Sequence, residues 1–327
     1  MDRRRALSAL AILAGSLAPT CARAQQGRIW RIAFLGAPTA ASYAGRIAAL
    51  RRGLAELGYV EGKNIVIDDL WADGKYEELP RLAAELVARK PDIIVASTTP
   101  PSRAAQRATT SIPIVMTGVA DPIASGLVAS LARPGANITG IANYVGDSST
   151  KQLELLAAIL ARPSRIVVLF NPDNPSMPGL LKSIGASSGK LGVRTVPVAA
   201  RTAAEIEKLS AVLKHERADG LAVLAEPFFF QHRVLLGNLA AKAGIPSSFN
   251  SRDYLYAGGL ISYGSDNDEL HRRAAIYVDR ILKGAKPGDL AVEQAQKLEF
   301  VINLKAAKAL GLTIPASVLA RADEVIQ

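Results

Sequence analysis

Residues 92–117 read DIIVASTTPPSRAAQRATTSIPIVMT, and this stretch contains one complete unit of the fold. The apolar run Asp92–Ser97 predicts a buried strand, and the run Pro113–Thr117 predicts a second one. Between them, Pro101–Thr109 predicts a helix, because proline is tolerated in a helix's first turn. A strand, a crossover helix and a second strand in this order indicate a β-α-β unit in a parallel sheet.

The same alternation runs through the chain and restarts once. Before the restart, the other predicted strands are Arg31–Gly36, Asn64–Leu70 and Asn137–Tyr144, and the other predicted helices are Ser42–Leu57, Tyr76–Lys90 and Ile123–Leu131. A new helix at Lys151–Leu160 and a strand at Arg165–Phe170 begin the second series. Its later helices are predicted at Gly179–Leu191, Ala203–His215 and Phe229–Ala243, with strands at Arg194–Pro197, Gly220–Ala225 and Pro246–Phe249. We therefore predict an α/β protein of two doubly wound, Rossmann-like lobes with a cleft between them.

The last part of the chain predicts lobes that are not continuous in sequence. Gly258–Gly264 is expected to cross back to the first lobe, where Asp268–Lys283 forms a helix, and Glu299–Asn303 returns to the second. The predicted N-terminal lobe is residues 25–143 plus about 266–293, and the C-terminal lobe is residues 147–262 plus about 294–327. Several crossing strands, rather than one linker, then form the hinge.

Residues 1–24 have the features of a secretory signal peptide. Arg3-Arg4-Arg5 precedes an apolar run from Ala6 to Leu17, and the small-residue site Ala22-Arg23-Ala24 follows. The apolar run is shorter than the roughly 20 residues that a membrane-spanning helix needs. We expect removal of residues 1–24 and a periplasmic protein, exported by either the general secretory or the twin-arginine route. Cys21 lies in this segment without a lipoprotein-type sequence before it, so we expect it to be discarded rather than lipidated.

Charge and motifs argue against several other functions. The net charge is +10, but basic and acidic residues are interspersed, as in Glu205–Arg217, so we expect no nucleic-acid binding. Gly36 after the first strand lacks the further glycines of a dinucleotide-binding loop, and no phosphate-binding P-loop or serine-nucleophile elbow is present. The histidines are isolated from other metal-ligand residues. We therefore expect no cofactor, no metal and no catalysis.

Ligands of open α/β sheets bind outside the carboxyl ends of the strands, so the loops there are the candidate site. On the first lobe, Thr98 and Thr99 offer hydroxyls at a helix N-terminus suited to a carboxylate, although an ordinary helix cap explains them equally. Thr117 and Gly118 follow the next strand, and Gly118 would let the backbone approach a ligand closely. Asp121 is expected to cap the following helix.

On the second lobe, Asn171 and Asn174 could hydrogen-bond a polar ligand, and turn formation is the alternative. Glu226 ends a predicted strand and offers an acidic group to the cleft. Phe249 and Tyr263 could stack on an aromatic or apolar part of the ligand, or could belong to the core.

Several segments of the chain together resemble one known family. They are Gly53–Gly62 (GLAELGYVEG), Asp121-Pro122 with Ser125–Val128 (SGLV), Ala132–Gly140 (ARPGANITG), Asn171–Pro175 (NPDNP), Ala257–Gly264 (AGGLISYG) and Val301–Lys308 (VINLKAAK). The chain is similar over nearly its whole mature length to ABC-type substrate-binding proteins of the tryptophan/tyrosine transport kind. That resemblance implies the periplasmic-binding-protein type I fold.

The resemblance also implies the function. It predicts a monomeric exported component of an ABC importer, which captures a small molecule in the cleft and delivers it to a permease with its ATPase. The implied ligand is an amino acid or related zwitterion, with aromatic ones weakly favoured, and its ammonium would pair with Glu226, where members of the family often carry aspartate. The alternatives are a periplasmic sensory module and, less favoured, a periplasmic α/β enzyme. A DNA-binding regulator of related fold would carry a helix-turn-helix where this chain has its signal segment.

Overall fold

The computed structural model describes residues 28–143, 145–160, 163–295 and 297–327. The predicted signal segment, with Cys21, lies outside these residues. The strands are β1 Trp30–Gly36, β2 Ile65–Trp71, β3 Ile93–Ser97, β4 Ile114–Val119, β5 Ile138–Ala142, β6 Arg165–Phe170, β7 Arg194–Ala199, β8 Gly220–Val223, β9 Ser247–Phe249, β10 Ile261–Ser265, β11 Glu293–Gln294, β12 Leu298–Asn303 and β13 Glu324–Ile326. The helices are α1 Ala44–Glu56, α2 Leu79–Ala88, α3 Thr99–Ala108, α4 Val145–Ile159, α5 Met177–Leu191, α6 Ala203–Glu207, α7 Leu209–His215, α8 Pro227–Gln231, α9 Arg233–Lys242, α10 Asn267–Leu282, α11 Leu304–Ala309 and α12 Ala316–Leu319.

The first lobe is a parallel sheet in the order β11-β5-β4-β3-β1-β2, with helices on both faces. Leu35 and Ile94 pack on one face beneath α2 and α3, and Phe34 and Val95 pack on the other beneath α1 and α10. Successive strand residues therefore point into different cores, and both cores are apolar. Burial on both faces explains why these strands are continuous apolar runs rather than alternating ones.

The second lobe is a sheet in the order β13-β12-β10-β9-β8-β6-β7. Its strand pairs are parallel except for β10 and β12, which run antiparallel. Val167 and Leu169 belong to one core and Ile166 and Val168 to the other, so this sheet is also covered on both faces. The two-lobed α/β fold of the periplasmic-binding-protein type I class, predicted from the sequence, is confirmed.

The chain passes between the two sheets at three places. β5 in the first sheet leads to α4, which packs on the second; β10 leads back to α10, which packs on α1 and β4; and β11, paired with β5, leads to β12. The last passage takes the chain from Gln294 in the first sheet to Leu298 in the second. Three separate passages between the lobes are the arrangement expected of a hinge.

Some elements differ from their predictions. Residues 123–131, predicted as a helix, form hydrogen-bonded turns instead, because Gly126 has a φ of +70° that ends the helical path after one turn. Asp121 still caps them, accepting from the backbone N–H groups of Ile123 and Ala124 at 3.1 and 2.9 Å. The single helix predicted over 229–243 is divided at His232 into α8 and α9. In the described part of the chain, no helix is both long and apolar enough to cross a membrane.

Candidate functional site

The carboxyl ends of the parallel strands of both lobes face each other across a cleft. From the first lobe, the cleft is lined by Tyr43, Arg46, Thr98, Thr99, Gly118, Ala120 and Asn143. From the second, it is lined by Asn174, Ala225, Glu226, Pro227, Phe230 and Asn250, and Asn267 at the start of α10 completes the wall. The space left for a water-sized sphere is about 40 Å³, so the lobes have to part before a molecule as large as an amino acid can enter.

Side chains of the two lobes hydrogen-bond to each other directly around the cleft. The phenol of Tyr76 donates to the carboxylate of Glu226. Ser176 Oγ donates to Thr99 Oγ1 at 3.0 Å, and the Thr39 backbone N–H donates to Gln231 Oε1 at 3.2 Å. These contacts describe a closed arrangement of the lobes.

Glu226 sits at the base of the cleft with its carboxylate buried. As the N-cap of α8 it accepts from the Phe228 N–H at 3.3 Å, and it also accepts from Asn174 Nδ2 at 2.6 Å and Asn171 Nδ2 at 3.3 Å. Burial raises the pKa of Glu226 to about 7, and the hydrogen bonds, which favour the charged form, only partly offset that rise. The group is therefore poised to change charge near neutral pH.

Arg46 brings a buried positive charge to the same cleft. It projects from α1 with 5% of its surface exposed, and its guanidinium carbon lies 4.1 Å from the ring centre of Phe230 and 5.1 Å from that of Tyr43. Its nearest acidic group is Asp253, 3.8 Å away. The cleft thus contains one buried cation on the first lobe and one buried carboxyl group on the second.

Thr98 joins β3 to α3 in a conformation that side chains rarely adopt. Its φ and ψ are 75° and 174°, a region populated almost only by glycine, and such a residue costs roughly 1–3 kcal/mol. The Thr98 N–H donates to Thr117 O at 2.7 Å, and its buried Oγ1 has no hydrogen-bond partner among the described residues. Strain and an unpaired hydroxyl at one residue are characteristic of a ligand site.

The N-terminus of α3 offers few donors to an anion. Pro100 and Pro101 carry no N–H, and the Ser102 N–H already donates to Thr98 O at 3.2 Å. Of the first-turn amides, only that of Thr99 is left to face the cleft. The carboxylate site that the sequence predicted at this helix end is therefore smaller than a helix N-terminus normally provides.

A buried histidine lies behind the cleft wall of the first lobe and hydrogen-bonds to its strands. His271 Nδ1 lies 2.7 Å from Asn267 O, and because a carbonyl only accepts, Nδ1 carries the proton and Nε2 accepts from Ser97 Oγ at 3.0 Å. Thr117 Oγ1 is 3.4 Å from the same Nε2. Burial, with a smaller effect of the Arg46 charge, lowers the pKa of His271 to about 3, so the ring is neutral. This network joins β3 and β4 to the first turn of α10.

The structure places the predicted site residues in three settings. Those that line the cleft are Thr98, Thr99, Gly118, Asn174 and Glu226. Asn171 lies behind Glu226 and Thr117 beside His271, so both contact a cleft residue or its support. Phe249 is fully buried and stacked on Tyr254 at 4.5 Å, and Tyr263 packs against the second-lobe core near Phe300 at 6.4 Å.

Other cleft residues were missed by the sequence reasoning. They are Tyr43, Arg46, Asn143, Asn250 and Asn267. The asparagines follow the carboxyl ends of β5, β9 and β10, so inspection of every such loop would have found them. Arg46 gave a subtler signal, since it is the charged residue on the face of α1 that buries Ile47 and Leu50.

A second, polar cavity of about 430 Å³ adjoins the cleft. The two share the residues Arg46, Phe230, Asn250 and Asn267. Its other charged walls are Arg52, Arg233, Arg252, Asp253, Asp266, Asp268 and Glu299. Within the described residues, no cluster of three or more His, Cys, Asp or Glu side chains is arranged to hold a metal ion.

Comparison with known proteins gives consistent matches. A family model described as ABC transporter substrate binding protein matches residues 40–326. A tyrosine-binding protein of Clostridioides difficile (strain R20291) is 29% identical over 261 residues, which are 80% of this chain and 75% of that protein.

Two solved structures are similar over most of the chain. A conserved domain protein from Vibrio cholerae O1 biovar El Tor superposes with a TM-score of 0.85 and 30% identity, and covers 91% of this chain and 100% of its own. An ABC domain from Streptococcus pneumoniae in complex with L-Trp superposes with a TM-score of 0.84 and 27% identity, with the same coverage of 91% and 100%.

Proposed function

The chain belongs to the family of ABC transporter substrate-binding proteins, and from that premise we propose that its cleft captures an amino acid, with aromatic ones favoured, for delivery to a membrane permease. The family is one of transport proteins rather than enzymes, and its members act on a small-molecule ligand together with permease subunits. To this general role of the family, we add the class of ligand and the residues that bind it.

The buried carboxyl group of Glu226 carries the proposal. It lines the cleft, it is held by four donors from both lobes, and nothing positively charged among the described residues hydrogen-bonds to it. A buried carboxylate without a counter-ion is unfavourable, so a ligand ammonium would stabilise it. Glu226 Oε2 accepts from Asn174 alone and has room for that further bond.

Aromatic side chains of both lobes support the preference for an aromatic ligand. Tyr43 and Phe230 line the cleft, with ring centres 5.6 Å apart in an edge-to-face arrangement. Lobe opening would separate these rings and expose a face of each to a third ring. Two of the similar proteins, one named for tyrosine and one in complex with L-Trp, point the same way.

We assign ligand contact to Thr98, Thr99, Gly118, Asn174 and Glu226, and assign support of these residues to Thr117 and Asn171. Contacts from both lobes to one ligand favour the closed form, which the permease then recognises. The lobes are proposed to comprise residues 25–143 with about 266–293, and 147–262 with about 294–327. Export through residues 1–24 to the periplasm and action as a monomer belong to the same proposal.

Isothermal titration calorimetry of the dialysed protein tests the ligand class. L-tryptophan or L-tyrosine is expected to bind saturably with one site per chain, and Glu226→Gln is expected to weaken that binding by at least about tenfold. Asp219→Asn is the matched control. Its carboxylate also accepts from several donors, including the backbone N–H groups of Ser164 at 2.7 Å and Arg165 at 2.8 Å. Asp219 precedes β8, however, so it lies at the amino ends of the strands, away from the cleft. Absence of heat with every amino acid, together with saturable binding of a sugar such as D-ribose, would refute the proposal.

A further inference from the structure

Arg46 has a buried guanidinium with unsatisfied donors. A guanidinium carries five N–H groups, yet Arg46 makes no hydrogen bond to another described residue, and its buried Nε has no partner. Its distance of 3.8 Å to Asp253 is an ion pair without a hydrogen bond. Asp253 accepts from Ser251 Oγ at 2.7 Å and its side chain is 40% exposed, so it is already solvated and bonded elsewhere.

The surrounding rings hold the guanidinium in a position suited to a carboxylate. Phe230 and Tyr43 contact its faces, which leaves the N–H groups at the edges free to point away from the rings. The edges of a guanidinium match the two oxygens of a carboxylate. Arg46 lines the cleft together with Glu226, so a group bound at its edge lies in the same cavity.

The other candidate for an anion in this cleft is weaker. The N-terminus of α3 has lost two of its amide donors to Pro100 and Pro101, and the remaining first-turn amide is that of Thr99. A single amide and the Thr98 hydroxyl provide hydrogen bonds but no full charge. Arg46 provides the charge.

We infer that Arg46 is the carboxylate-binding residue of the cleft, and that the ligand is recognised as a zwitterion between Arg46 on the first lobe and Glu226 on the second. This inference rests on the proposed function, because Glu226 is the ammonium site there. One molecule that carries both charges neutralises both buried groups and links the lobes. A ligand with only one of the two charges leaves the other group unpaired in the closed cleft.

Ligand pairs that differ in the carboxylate test the inference. L-tryptophan is compared with tryptamine, and L-tyrosine with tyramine, by calorimetry on wild type, Arg46→Met, Arg46→Lys and Arg233→Met. Wild type is expected to bind each amino acid about 100-fold more tightly than its amine, and Arg46→Met is expected to lose about that factor for the amino acid only. Arg46→Lys should recover part of it, since it keeps the charge without the planar fork. Arg233 is the matched control because it lies over the same Phe230 ring, 4.7 Å away, from α9.

The outcomes distinguish failure of the proposed role of Arg46 from failure of the proposed ligand class. Equal affinity of wild type for an amino acid and its amine, or unchanged amino-acid affinity in Arg46→Met, overturns the role of Arg46 while the aromatic ligand stands. Absence of binding for every amino acid in wild type overturns both. Retained amine binding in Arg46→Met shows that the variant is folded. If that variant does not fold, Arg46→Lys and the wild-type affinities for the ligand pairs still test whether Arg46 binds the carboxylate.

Discussion

The phenol of Tyr76, on the first lobe, donates a hydrogen bond to the buried carboxylate of Glu226, on the second. The same carboxylate lines the cleft, so one side chain takes part both in holding the lobes together and in the proposed recognition of the ligand. Closure therefore completes the set of donors around Glu226. Opening of the lobes would separate Tyr76 from Glu226 and leave Glu226 with the donors of its own lobe.

Replacement of Tyr76 by phenylalanine is expected to weaken ligand binding by about tenfold, because the closed form loses a hydrogen bond to a charged group. Calorimetry measures the affinity, and small-angle X-ray scattering measures the share of closed molecules. Tyr59→Phe is the control, since the Tyr59 phenol also donates to a carboxylate, that of Asp279 at 2.9 Å, but within the first lobe. Equal affinity in Tyr76→Phe and wild type would show that this bond does not contribute to closure.

Ligand affinity is expected to fall as the pH drops below about 7. The pKa of Glu226 is raised to about 7 by burial, so the neutral carboxyl prevails at lower pH and gives an ammonium no charge to pair with. Affinity should decline by up to about tenfold per pH unit at the acid end, as expected for one proton released on binding. Titrations between pH 5 and 8 measure this slope, and Glu226→Gln should remove it. A flat wild-type profile would contradict the proposed ammonium contact.

The same carboxyl group predicts how ligand-free stability depends on pH. Its folded-state pKa of about 7 lies above its ordinary value of 4.5, so the unfolded chain releases this proton first as the pH rises. The free energy of unfolding should therefore fall between pH 4.5 and 7, by about 3 kcal/mol if Glu226 acts alone. Urea unfolding of wild type and Glu226→Gln measures the difference, and the two proteins should converge at pH 4.

His271 predicts the opposite trend in acid. Its pKa is lowered to about 3 in the folded protein from an ordinary value of 6.5, so the unfolded chain binds a proton first as the pH falls. The contribution of the neutral ring to stability is fully present above pH 6.5 and is lost towards pH 3, by about 1.4 kcal/mol per pH unit. His271→Gln should be less stable than wild type at pH 8 and should show a shallower loss in acid. Parallel pH profiles would contradict the assignment.

Thr98→Gly is expected to stabilise the protein by about 1 kcal/mol and to weaken ligand binding. Glycine relieves the strain of the positive φ of 75°, which outweighs its greater entropy in the unfolded chain, but it removes the unpaired hydroxyl from the cleft. Thr98→Ser should keep the affinity. Thr109→Gly, at the other end of α3 with a φ of −151°, should destabilise. Thermal unfolding and calorimetry measure both effects; a Thr98→Gly protein less stable than wild type would rule out relief of strain.

The fold was predictable because its signal is local and repeated. The residues 93–96 are all apolar, since a strand covered on both faces has no polar side, and α3 follows within a few residues. The failed helix at residues 123–131 shows the limit of such patterns. Its composition suits a helix, but Gly126 adopts a φ of +70°, which hydrophobic periodicity does not predict.

The site was predictable only in part. Glu226 and Thr98 were found because strand ends are visible in the sequence and their carboxyl ends meet in a parallel sheet. Arg46 was not, since its position on the apolar face of α1 predicts burial but does not say whether that face borders a core or a cleft. Phe249 and Tyr263 follow a pattern that suits core and pocket equally, and packing alone placed Phe249 against Tyr254.

The sequence by itself determined two doubly wound lobes and the loops at which they would meet, because hydrophobic periodicity records which faces of each element are buried. Only the tertiary structure decided that Arg46, Tyr76 and Glu226 share one cleft region. Tyr76 and Glu226 are 150 residues apart and belong to different lobes. Their contact depends on the angle between the lobes, which three strand passages set and which no local pattern encodes.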